Sequence, residues 1–153
     1  HQELDEHAWD RIFQRAAWED LPVVINLRAE NAWEQIDKNL DLNFLEKTIH
    51  YAEKQNTRLY VLNVATQEVL GLIQEARARS LLIYAETTLQ YLFPKNASQA
   101  DFLWDALNRG TIETIGSGYQ FKAKHQDRLL YRGESFDFLN PIFLLPLLLT
   151  AYH

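Results

Sequence analysis

Residues 58–85 read RLYVLNVATQEVLGLIQEARARSLLIYA. Arg58 to Ala65 is short and apolar, as a buried strand is. Thr66 stands where a helix needs a cap, and Val69, Ile73 and Ala76 recur at helical spacing through about Arg79. Leu81 to Ala85 is apolar again and predicts the next strand. The stretch is one strand–helix–strand unit.

The same alternation extends outward in both directions. Upstream, residues 5–18 predict a helix with Ala8, Trp9, Ile12, Phe13, Ala16 and Ala17 on one face. Leu21 to Leu27 follows as a strand opened by Pro22. A second helix is expected over about 44–55, with Asn43 as cap and Glu46 in capping-box spacing. Its buried stripe is Leu45, Ile49 and Ala52. Downstream, Ser98 with Asp101 opens a further helix, and Gly110 closes it. Thr111 to Ile115 alternates as a fourth strand, and Gly116-Ser117-Gly118 turns the chain. The last segment, from about Asp137 to Ala151, is apolar.

Strands that are apolar on both faces and alternate with helices predict a parallel α/β sheet covered by helices. Four strands fit a small open domain or half of an eight-stranded barrel. No internal repeat with matching sequence chooses between them. The whole of residues 1–153 is expected to form a single domain.

Composition narrows the function classes. The chain is 47% hydrophobic and 24% charged, which suits a folded core. Its formal net charge of −6 and scattered basic residues disfavour a nucleic-acid surface. It has no cysteine, so disulfides and thiolate metal sites are excluded. The apolar run from Ile142 to Leu149 contains Pro146 and is far shorter than the ~20 residues that span a bilayer. With no segment resembling a signal peptide, the expectation is a soluble, cytoplasmic protein without a membrane partner. There is also no methionine, so the chain is expected to be trimmed, processed or part of a longer polypeptide.

Side chains with chemistry are few and scattered. His7 and His50 fall in predicted helices, His125 lies beyond the last strand, and His1 and His153 are terminal. No pair has the i, i+4 spacing of a helical metal site, so all five read as surface residues. Ser117 lacks the full Gly-x-Ser-x-Gly elbow and reads as a turn residue. Glu86 follows the strand LLIYA and reads as a polar group that ties down the strand end, as does Glu30. Trp9 and Trp104 sit on helical stripes and read as core, whereas Trp33, after a strand, is the candidate for an exposed contact.

Several ordered segments resemble a known group. LYVLNVATQEVLGLIQEARARSLLIYAETTLQYLF and DALNRGTIETIGSGYQF are similar to the dihydropyrimidinase, hydantoinase and dihydroorotase group of the amidohydrolase superfamily. RAEN at 28–31 resembles that group's His-Ala-Glu-Asn, and NPIFLLPLLLTA resembles its segment after the last barrel strand. The resemblance covers most of residues 20–151. It implies a metal-dependent (β/α)₈ TIM barrel that hydrolyses cyclic amides, of which this chain supplies strands five to eight.

Carried over residue by residue, the group's metal positions do not hold metal-binding side chains. Arg28 stands where the resemblance implies a histidine, or Asn26 if the preceding strand is aligned without a gap. Asn63 stands for the histidine after the next strand, Gly118 for the catalytic aspartate, and Tyr119 for the histidine beside it. Arginine repels a cation, glycine offers no ligand, and asparagine substitutes poorly for imidazole. The resemblance therefore implies vestigial positions at Asn26, Arg28, Asn63, Gly118 and Tyr119, with no catalytic residue, no bound metal and no cofactor.

The expected function is that of a catalytically degenerate protein with a structural or assembly role, through a protein partner or self-association. The alternative is an active cyclic-amide hydrolase whose first half lies outside this chain, in which case zinc is expected. A third reading is a small-molecule binding module whose mouth is lined by Arg28, Asn63 and Tyr119.

Overall fold

The computed structural model describes residues 5–27, 38–93, 100–117 and 144–151. The elements follow the order α1 (Glu6–Trp18), β1 (Val23–Asn26), α2 (Lys38–Gln55), β2 (Leu59–Leu62), α3 (Gln67–Ala78), β3 (Ile83–Thr88), α4 (Leu89–Leu92), α5 (Asp101–Asn108), β4 (Thr114–Gly116) and α6 (Leu144–Ala151). The four strands form one parallel sheet in the sequential order β1-β2-β3-β4. Val23 aligns with Leu59, Leu59 with Ile83, and Glu86 with Thr114.

One face of the sheet makes the core. Ile25, Leu59, Val61, Ile83 and Ala85 point into it and meet Phe13, Leu45, Ile49, Ala52, Val69, Ile73, Ala76 and Leu103 from the helices. Trp9 stacks on Phe13 and Tyr51 with ring centroids 5.8 and 5.6 Å apart, which locks α1 to α2. The alternate strand positions carry no helix cover. Val24 is 55% exposed, Leu82 58% and Tyr84 45%. Among the described residues the sheet is thus covered on one face and bare on the other. A doubly wound open sheet carries helices on both faces, and a barrel arc on one.

Each long helix hands over to its strand through the same joint. A residue in the left-handed region follows the helix end: Asp20 (φ 52°), Asn56 (φ 52°), Ser80 (φ 72°) and Gly110 (φ 69°). The next residue then donates its N–H back to a carbonyl five positions earlier. The pairs are Leu21 to Ala16, Thr57 to Ala52, Leu81 to Ala76 and Thr111 to Ala106, at 2.8–3.1 Å. This is the Schellman closure, which satisfies helix carbonyls that otherwise lack donors. The fold is therefore repetitive where the sequence is not.

The predicted parallel α/β arrangement is the one observed, with shifted boundaries. Asp5 caps α1, accepting from Ala8 N at 2.7 Å, and Thr66 caps α3, accepting from Val69 N. Helix α2 begins at Lys38, so Asn43 and Glu46 lie inside it and form no cap. The stripe Leu45, Ile49, Ala52 continues upstream to Leu42, which packs on the core and carries the helix past the proposed start. Ile12 was expected on the buried face of α1 but is 43% exposed, because α2 lies over the Trp9–Phe13 side. Strand β3 runs on to Thr88, which places Glu86 within the strand rather than after it. Strand β4 begins three residues later than predicted, since Thr111 and Ile112 both donate to Ala106 O in closing α5. Gly116 consequently belongs to the strand and not to the turn. Ser98, Glu30, Trp33 and His125 lie outside the described residues. Among those described, no helix is long and apolar enough to cross a membrane.

Candidate functional site

The carboxyl ends of β1 to β4 and the bare face beneath them are where a parallel α/β sheet presents functional groups. At the end of β1 stands Asn26, and one residue past β2 stands Asn63. The left-handed backbone of Asn63 (φ 64°) turns its side chain toward its neighbour. Asn63 Nδ2 donates to Asn26 Oδ1 at 2.7 Å. The main chain then re-enters the sheet through Val64 N, which donates to Glu86 O at 2.8 Å. Two adjacent strand ends are thus bridged by a pair of neutral carboxamides.

A second cluster occupies the bare face lower down. Tyr60 Oη donates to Glu86 Oε2 at 2.7 Å and lies 2.8 Å from Thr114 Oγ1. Tyr60, Glu86 and Thr114 come from three consecutive strands and share one face: Glu86 pairs in register with Thr114, and Tyr60 pairs with Tyr84, two residues before Glu86. The Glu86 carboxylate extends across Gly116. A Cβ at that position would lie 2.9 Å from Glu86 Cδ and closer still to Oε1. Glycine leaves room there for the carboxylate, which a Cβ would displace; its backbone is not in the left-handed region. Burial raises the pKa of the Tyr60 phenol; the Thr114 hydroxyl works against the shift, and the Glu86 carboxylate adds to it. Tyr60 is therefore a neutral donor at physiological pH, and one carboxylate oxygen of Glu86 is committed to it.

Below this cluster, Arg77 joins three segments. Its guanidinium donates to Ile83 O at 2.7 Å and Thr111 O at 2.7 Å, and pairs with Glu113 Oε1 at 2.6 Å. Glu113 Oε2 in turn accepts from Ala85 N at 2.8 Å. This network fastens α3, β3 and the start of β4 on the side away from the strand carboxyl ends. Beside it a shallow concavity of about 250 Å³ is lined by Pro22, Arg58, Tyr60, Tyr84, Glu113 and Thr114. It is smaller than the ~300–1,000 Å³ of ordinary ligand pockets and is mostly apolar.

Of the metal positions implied by the sequence resemblance, the described ones are Asn26 and Asn63. A carboxamide nitrogen has no free lone pair for a metal, and the Asn26 oxygen uses one of its two to accept a hydrogen bond. Glu86 reaches a tyrosine and not a second ligand. Among the described residues no three His, Asp or Glu side chains converge as a metal site. His7 and His50 are exposed on α1 and α2, and the His50 ring meets the edge of Tyr51.

Of the five positions singled out from sequence, the structure brings Asn26 and Asn63 together. Arg28, Gly118 and Tyr119 lie outside the described residues. From sequence, Glu86 reads as a lone strand-end group and Gly116 as a turn residue, and Tyr60 and Thr114 are given no role. The missed signal is parity: in register, Tyr60, Glu86, Thr114 and Gly116 all point to the face opposite Val61 and Ala85.

Comparison with known proteins places this architecture. D-hydantoinase of Rhizobium radiobacter is 24% identical over 94 residues, covering 48% of this chain and 21% of the relative. The crystal structure of dihydropyrimidinase from Brevibacillus agri superposes with a TM-score of 0.61 at 21% identity, over 80% of this chain and 35% of that one. L-hydantoinase (dihydropyrimidinase) from Arthrobacter aurescens gives a TM-score of 0.63 at 18% identity, over 75% and 34%. No family model matches the chain. The four β/α units share the fold of part of these barrel proteins, and the chain spans about a third of the length of the solved structures it matches.

Proposed function

We propose that this chain is a catalytically degenerate, hydantoinase-like half-barrel, acting in the cytoplasm as a structural subunit that packs against another protein chain. The observation that carries the reading is the Asn63–Asn26 hydrogen bond of 2.7 Å across two neighbouring strand ends. A hydrolytic metal centre needs imidazole or carboxylate donors converging at such ends to lower the pKa of a bound water. Here two neutral amides satisfy each other instead. Glu86 is held by Tyr60 and packed on Gly116, which gives it a structural task. The concavity on the bare face, at about 250 Å³, is smaller than an ordinary ligand pocket and suits packing better than a substrate.

The test is metal content with turnover. The purified full-length gene product is loaded with zinc, desalted and assayed for bound metal and for hydrolysis of hydantoin and dihydrouracil. The expected result is metal well below one equivalent and no turnover above the buffer rate. Stoichiometric zinc together with hydrolysis that a chelator abolishes would overturn the proposal and restore the active hydrolase.

A further inference from the structure

We draw no further inference here: the strongest candidate, the buried polar atoms Thr88 Oγ1 and Gln90 Oε1 that stand without a hydrogen-bond partner where β3 passes into α4, carries nothing because nothing in the structure shows what group meets them.

Discussion

Replacing Gly116 with alanine has a sign that depends on Glu86. The backbone at Gly116 accepts an L-residue, so alanine in an open site there would gain about 0.4–1 kcal/mol by restricting the unfolded chain. The site is not open. The new Cβ would sit 2.9 Å from Glu86 Cδ and nearer to its Oε1, which expels the carboxylate from its place beside Tyr60. A hydrogen bond to a charged group contributes about 1.5–3 kcal/mol, and partial exposure of Glu86 puts this one at the lower end. Net destabilisation of about 0.5–1 kcal/mol is expected, a fall of roughly 1–4 °C in Tm for a chain of this length. In a Glu86→Ala background the obstruction is gone, and Gly116→Ala should stabilise. The coupling in the double-mutant cycle is then about 1.5 kcal/mol, the lower-end value of the lost hydrogen bond. Urea unfolding followed by tryptophan fluorescence measures all four proteins, with the slope m checked for constancy. If alanine at 116 has the same sign with and without Glu86, the carboxylate does not pack on the glycine and the site is misdescribed.

Other expectations concern the frame around the site. Arg77→Met removes the donors to Ile83 O and Thr111 O and the partner of Glu113, and should cost about 2–3 kcal/mol by the same urea assay. Ser80→Gly relieves a side chain at φ 72° in a closing joint and should raise stability by about 0.5–1 kcal/mol, read as a higher Tm. The Asp10–Lys54 ion pair (2.7 Å) links α1 to α2. The hydrogen bond to Lys54 lowers the Asp10 pKa below 3.8, and the same bond raises the Lys54 pKa above 10.5. The carboxylate's contribution is present above 3.8 and is lost as pH falls through its lower folded value. The ammonium's is present below 10.5 and is lost as pH rises through its higher folded value. The Tm difference between the native chain and Lys54→Met should therefore be constant between these limits and shrink outside them, as pH-dependent thermal melts would show.

Much of the fold is legible in the chain as written. The apolar run of Leu59 to Leu62, the Thr66 cap and the stripe Val69, Ile73, Ala76 announce a strand–helix unit, because each signal is local and acts through neighbours three or four residues away. Gly110 is visible as a helix stop because only glycine adopts φ 69° without strain. Asp20, Asn56 and Ser80 make the same joint but carry side chains, so the fourfold repetition appears only in the backbone.

The site divides along the same line. Sequence places asparagine at 26 and at 63, and chemistry alone says that such side chains are poor substitutes for imidazole. That the two amides bond to each other, that Glu86 reaches Tyr60, and that Gly116 leaves room for the carboxylate depend on strand register, which joins residues 26 to 54 positions apart. The composition and local pattern of this protein determined its helices, its strands and their parallel sense. Which face lies bare and which side chains meet on it was decided by tertiary structure, because register and curvature are set by packing between segments that the sequence keeps far apart.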